Sequence, residues 1–136
     1  MAARGGHLTC LEYAHTNGCP WNEWTCRYAA EGGQLACLEY AHTNGCPWDW
    51  STCTNAARNG HLTCLKYADT NGCPWNWETC WAAAKGGQLA CLEYARTNGC
   101  PWHEGACRRI AAAKGHQSCV DFIDERKGGG KRRKMC

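Results

Sequence analysis

The stretch Thr43-Asn44-Gly45-Cys46-Pro47-Trp48 decides the fold of this chain, because the same six residues return three more times. The copies occupy residues 16–21, 70–75 and 97–102, so that successive copies begin 27 residues apart. Glycine adopts the left-handed conformation that ends many helices, and a proline two residues later cannot continue one. A helix end that recurs at a fixed period of this size predicts an array of stacked units.

Each unit is predicted to hold two short helices. Helix A is expected at residues such as 26–31, before a glycine turn, and helix B at residues such as 34–44, before Gly45. So few residues separate the two helices that they must be antiparallel neighbours. A threonine before helix A is the expected N-cap in each full unit, namely Thr25, Thr52 and Thr79.

The period divides the chain into an array over residues 1–126 and a basic, disordered tail over residues 127–136. Within the array we expect a half unit, three full units and a C-terminal capping unit, at residues 1–24, 25–51, 52–78, 79–104 and 105–126. One unit is too small to bury its own apolar face, so the units must stack to form a core. The last unit carries Asp121, Asp124 and Glu125, which give the polar outer face expected of a cap.

The chain has fourteen cysteines, and three of them lie at equivalent places in each full unit. A cysteine outside a disulfide behaves as a small buried hydrophobic residue. The N-terminal residues lack the apolar segment of a secretory signal, so we expect reduced core thiols and an intracellular location, in the cytoplasm or nucleus. No apolar run reaches about 18 residues, and no membrane association is expected.

The basic residues are unevenly distributed. Residues 126–136 hold six Lys or Arg and no acid, whereas residues 1–125 hold nine basic and twelve acidic residues. The run Lys131-Arg132-Arg133-Lys134 is typical of a nuclear localisation signal or a weak nucleic-acid contact, and equally of a solubilising end. No base-reading motif accompanies it, so nucleic-acid binding is expected at most weakly through this tail.

The unit Thr-Cys-x-x-Ala-Ala-x-x-Gly-His/Gln-Leu-x-Cys-Leu-x-Tyr-Ala-x-x-Asn-Gly-Cys-Pro-Trp resembles the ankyrin repeat. The matching places in one unit are Thr52, Ala56-Ala57, Gly60-His61 and Asn71-Gly72-Cys73. It is most similar to the short Cys-Pro-Trp repeats of giant DNA viruses and some protists. The resemblance implies an all-α solenoid of helix-turn-helix pairs that binds a protein partner. The cysteines of the array have near-equivalent copies in other units and no acid–base pair accompanies one of them, so we expect no enzymatic activity. We also expect a monomer without a cofactor. The short period and the missing Thr-Pro-Leu-His signature leave the shape of the connectors open.

A zinc-binding array is the main alternative, because Cys and His recur with spacings that suggest metal ligands. The candidate ligands are Cys10, His15, Cys19 and Cys26, then Cys37, His42, Cys46 and Cys53. Against this alternative, positions five apart on a helix do not share a face well. Asp69 and then Arg96 also replace the histidine in the next copies, and arginine does not bind zinc.

The residues that differ between units predict where a partner binds, because the shared residues must build the common core. The differences concentrate early in helix A and in the connector before it, which line the concave side of ankyrin-like stacks. The predicted partner-binding residues are Arg27, Tyr28, Trp50, Asn55, Trp77, Trp81, Arg108 and Arg109. Trp and Arg are common in interface hot spots. The other interpretation is that these tryptophans only cover helix ends.

Overall fold

The computed structural model describes residues 8–18 and 23–127, and within these ranges it is all helical. The nine described helices are α1 (Leu8–Thr16), α2 (Glu23–Glu31), α3 (Leu35–Thr43), α4 (Trp50–Arg58), α5 (Leu62–Thr70), α6 (Trp77–Lys85), α7 (Leu89–Thr97), α8 (Glu104–Ala113) and α9 (Gln117–Lys127). Helices α2, α4, α6 and α8 are the A helices, and the odd-numbered helices are the B helices. The predicted solenoid of antiparallel helix pairs is confirmed. None of the described helices is long and apolar enough to cross a bilayer.

The repeated Asn-Gly-Cys segment ends each B helix by satisfying its last carbonyl groups. At the end of α3, Asn44 Nδ2 donates to the Tyr40 carbonyl at 2.8 Å. Gly45 has a φ of +86°, which an L side chain rarely adopts, and this lets the Cys46 N–H turn back to the Ala41 carbonyl at 2.9 Å. The same bonds recur at the ends of α5 and α7. The predicted helix stop is therefore confirmed.

The A helices begin earlier than the sequence analysis placed them. Helix α4 begins at Trp50 after Asp49, whose carboxylate accepts from Ser51 N–H at 3.0 Å. Helix α6 begins at Trp77 after Asn76. The side-chain oxygen of Asn76 accepts from the Glu78 N–H at 2.9 Å. Both capping residues have extended backbone angles, as an N-cap requires.

The expectation that threonine caps the A helices is therefore wrong. Thr25, Thr52 and Thr79 each lie at the third position of their helix, and Thr52 and Thr79 are fully buried. An Asp or Asn three residues earlier supplies the acceptor oxygen in α4 and α6, and either residue caps at least as well as threonine. The buried threonines instead fill space between units.

The A helices of successive units pack more closely together than the B helices do. Helices α2, α4 and α6 each carry an alanine pair with no exposed surface, as at Ala56 and Ala57, and such small side chains let helices approach closely. The A helices therefore form one closely packed layer of the stack. Leu38, Leu65 and Leu92 of the B helices fill the core together with the cysteines.

The turns between A and B helices touch from one unit to the next. Gly60 has a φ of +77°, and a Cβ atom there would lie 2.4 Å from Oε1 of Gln88 in the following unit. The connector tryptophans Trp48, Trp75 and Trp102 pack half-buried against the core. Trp21, at the same position in the first copy, lies outside the described residues.

Candidate functional site

Half of the predicted partner-binding residues meet around one pocket on the A-helix face. Arg27, Trp50, Asn55 and Trp81 line a cavity of about 270 Å³ between α2, α4 and α6. The remaining lining residues are Asp49, Ser51, Thr54, Arg58 and Glu78. These nine residues come from three successive units, so the cavity exists only because the units stack.

The floor of this pocket is polar and held in place by hydrogen bonds. Asn55 is buried, and its Nδ2 donates to the Ser51 carbonyl at 2.8 Å. Its Oδ1 accepts from Arg58 Nη1 at 2.9 Å, which fixes the guanidinium at the pocket edge. Oδ1 of Asp49 accepts both capping bonds, from the N–H and the hydroxyl of Ser51. The hydroxyl of Thr54 is buried and has no hydrogen-bond partner within the described ranges.

A second groove lies between α6 and α8, and Trp81 forms a wall of both cavities. This groove has a volume of about 390 Å³ and is lined by Trp81, Ala106, Arg109, Ile110 and Ala113. On the same tryptophan, the Lys85 Nζ lies 5.0 Å from the ring centroid, which is a cation–π distance. The groove therefore combines an apolar floor with basic side chains.

Three of the predicted binding residues lie apart from both cavities. Tyr28 packs against the hydrophobic core. Trp77 is 39% exposed and its ring lies 5.1 Å from that of His103. Arg108 forms a bidentate ion pair with Asp124, with nitrogen–oxygen distances of 2.7 and 3.1 Å. Arg108 therefore has an ion-pair partner within the chain, whereas its neighbour Arg109 forms no ion pair with the described residues.

Two basic residues of this face were missed by the sequence analysis. Arg58 and Lys85 are the last residues of α4 and α6, and each contacts a residue that lines a cavity. A signal for them was present, because the equivalent residue of α2 is Glu31 and the charge at this position therefore changes sign between units. The predicted binding residues came only from the start of helix A and from the connector, so the end of helix A was left out.

Six of the described cysteines meet in pairs, and the part of the chain that the structure describes holds no metal-binding set. All eleven cysteines whose side chains are described are buried, which confirms their predicted place in the core, and none of them is in a disulfide. Side-chain hydrogen bonds join Cys26 to Cys46, Cys53 to Cys73 and Cys80 to Cys100. Cys46 and Cys53 of the second candidate zinc set therefore have different partners. Within residues 8–18 and 23–127 no three potential ligands converge, while Cys19 and the side chain of Cys10 lie outside the description.

The histidine position of the candidate zinc sets is used for aromatic packing. His42 stacks on Trp48 with ring centroids 3.8 Å apart, and His15 meets Tyr40 edge-on at 5.9 Å. In the following units, Asp69 accepts a hydrogen bond from the Tyr94 hydroxyl at 2.7 Å. Arg96 lies 4.4 Å above the ring of Trp102. Each replacement keeps a contact with an aromatic ring, so the position serves the stacking of the units.

The environment of the thiols keeps most of them protonated. Burial raises the pKa of Cys64, Cys91 and Cys107 to about 11 in each case. The hydrogen bond that the Cys80 thiol donates to Cys100 raises the pKa of Cys80 and lowers the pKa of Cys100. Since the thiolate is the reactive form, these buried thiols act as packing groups.

No protein-family model and no curated protein matches the chain. Among solved structures, the chain is similar to the human ASB11 ankyrin repeat domain, with a TM-score of 0.76 and 21% sequence identity. The match covers 91% of this chain and 66% of that domain, so the chain spans just under two thirds of its length. At this identity the likeness shows the fold, which is the ankyrin-type stack of helix pairs.

Proposed function

We propose that this chain is a protein-interaction module that binds a partner protein across its A-helix face. One observation carries the proposal. Residues that differ between otherwise near-identical units, including Arg27, Trp50, Asn55 and Trp81, line one cavity on the A-helix face. Residues that the units share, such as Ala56, Ala57 and Leu65, are buried. A solenoid uses its concave surface for recognition, and unit-to-unit variation there selects the partner.

The exposed aromatic residues support the same face. Within the described residues, the large hydrophobic side chains that remain exposed are Tyr13, Trp50 and Trp77. Trp50 is 43% exposed at the edge of the A-helix pocket, whereas Tyr13 lies on the B helix α1. A tryptophan beside polar pocket residues and arginines is the composition of an interface hot spot.

Several finer predictions stand on the sequence alone. The assignment to the short Cys-Pro-Trp repeats, the monomeric state, the lack of enzymatic activity and the location in the cytoplasm or nucleus remain predictions. The same holds for the unit boundaries and for the targeting role of Lys131 to Lys134, which lie outside the described residues. The proposed module requires none of these finer points.

The test uses a partner captured with the intact chain, whose affinity is then measured for matched variants by isothermal titration calorimetry. We expect Trp50→Ala and Trp81→Ala each to weaken binding by about 1–4 kcal/mol, as hot-spot tryptophans do. Tyr13→Ala is the control, because it removes a side chain that is 71% exposed on a different helix layer. Unchanged affinity in both tryptophan variants, with a loss in Tyr13→Ala, would place binding on the other face.

A further inference from the structure

The groove between α6 and α8 differs in charge from the pocket beside it. The residues that line the 270 Å³ pocket include two arginines and two acids, Arg27 and Arg58 with Asp49 and Glu78. The groove is lined by apolar side chains and Arg109, and none of its lining residues is acidic. Its volume of about 390 Å³ falls within the roughly 300–1,000 Å³ of typical ligand pockets.

Within the described residues, neither Arg109 nor Lys85 forms an ion pair with a carboxylate. Arg109 is exposed and forms no ion pair with any residue in 8–18 or 23–127. The adjacent Arg108 forms an ion pair with Asp124. Within the described residues, Arg108 therefore has a carboxylate partner and Arg109 does not. Lys85 lies over Trp81, with its ammonium directed at the ring that forms the groove wall.

A larger apolar residue in α8 contributes to this arrangement. Helix α8 has ten residues, whereas α6 has nine. The carbonyls of Ala83 and Ala111 accept equivalent bonds from the residue five positions later, so the two helices are in register at their ends. The residue before each of these two alanines is Ala82 in α6 and Ile110 in α8, so Ile110 lies at the position equivalent to Ala82. Ala82 is fully buried but Ile110 is only half-buried, so an apolar side chain is left at the groove.

We propose that this groove receives an apolar side chain of a partner segment, with a neighbouring carboxylate of that segment bound by Arg109 and Lys85. The inference rests on the proposed function and names the chemistry of the partner. The apolar side chain packs against Trp81 and Ile110, where its burial is favourable. A guanidinium binds a carboxylate through two parallel N–H bonds, so Arg109 sets the position of the acid relative to the apolar residue.

The experiment selects random linear peptides displayed on phage against the intact chain. The sequences of the enriched peptides show whether an Asp or Glu accompanies the apolar residue. The affinity of the most enriched peptide, labelled with fluorescein, is then measured by fluorescence anisotropy. We expect an apolar residue next to Asp or Glu, binding that weakens with added salt, and about tenfold weaker binding to Arg109→Glu, the loss of one charge-assisted contact.

Lys66→Glu is the matched control, since it makes the same charge change at an exposed position on the B helix α5. It should bind the peptide as the unaltered chain does, and circular dichroism should show both variants folded. Enriched peptides that need Trp81 but carry no acid, or that bind Arg109→Glu unchanged, overturn this inference and leave the proposed function standing. A selection that yields no peptide sensitive to Trp50→Ala or Trp81→Ala overturns both.

Discussion

The N-terminus of α4 offers a direct test of how the sequence starts an A helix, because two residues compete for the capping role. The structure assigns the cap to Asp49, whose carboxylate accepts from Ser51 N–H at 3.0 Å and from the Ser51 hydroxyl. The repeat pattern favours Thr52, which instead lies fully buried inside the helix. Its hydroxyl has no hydrogen-bond partner in the part of the chain that the structure describes.

The expected effects of the two substitutions differ in sign as well as size. Asp49→Ala removes the capping acceptor and a negative charge at the helix N-terminus, and loss of such a cap costs about 1 kcal/mol, within a range of about 0.5–2. Thr52→Val keeps the side-chain shape and removes an unpartnered hydroxyl, so the free energy of unfolding should stay the same or rise. In urea, where m is about 1–3 kcal/mol per molar, the midpoint of Asp49→Ala should fall by roughly 0.3–1 M.

Asp49→Asn serves as the control for this comparison. Asparagine already caps α6 through Asn76, so this variant should lie within a few tenths of a kcal/mol of the original chain. Unfolding is followed by the helical circular dichroism signal. An unchanged midpoint in Asp49→Ala, together with a lower midpoint in Thr52→Val, would show that Thr52 is the cap and that the described start of α4 is wrong.

Gly60→Ala should lower the melting temperature more than Gly72→Ala. Both glycines have positive φ, which costs an alanine roughly 1–2 kcal/mol, but only at Gly60 would the Cβ meet the Gln88 side chain; equal losses contradict this packing. Urea unfolding should show stability falling as pH rises from about 9 to 11. The pKa of Cys64 is raised from 9.0 to about 11, so its stabilising contribution is complete below 9 and is lost as pH rises through 11; a flat profile contradicts the burial. Deletion of residues 128–136, which contain the basic run, should shift a fluorescent fusion from nucleus to cytoplasm; an unchanged distribution leaves that run without a targeting role.

Much of the fold could be predicted because the residues that end helix B and fill the core recur in each unit. The end of helix B follows from Gly45 and its copies, since glycine takes the positive φ that turns the chain back. The buried cysteines and paired alanines could also be predicted, because residues that never vary between units must serve what all units share. Periodicity alone therefore led to the helix pairs and their stacking.

The start of helix A and the shape of the binding face could not be predicted in the same way. The caps Asp49 and Asn76 differ between units, whereas the threonine at Thr52 recurs in every full unit. Residues that stay constant between units therefore favour Thr52 as the cap, which is wrong. The ion pair between Arg108 and Asp124 joins two helices of the last unit, and nothing local to either residue signals it. Such contacts depend on the relative placement of helices, which a one-dimensional repeat does not specify.

The central claim is that the A-helix face is the surface that binds a partner. Its most direct test is the change in backbone amide chemical shifts when a captured partner is added to the isotope-labelled chain. If the A-helix face binds the partner, the largest changes occur at Arg27, Trp50, Trp81 and Arg109, with little change at exposed B-helix positions such as Lys66. The largest changes at Lys66 and its B-helix neighbours, with the A helices unaffected, would contradict it.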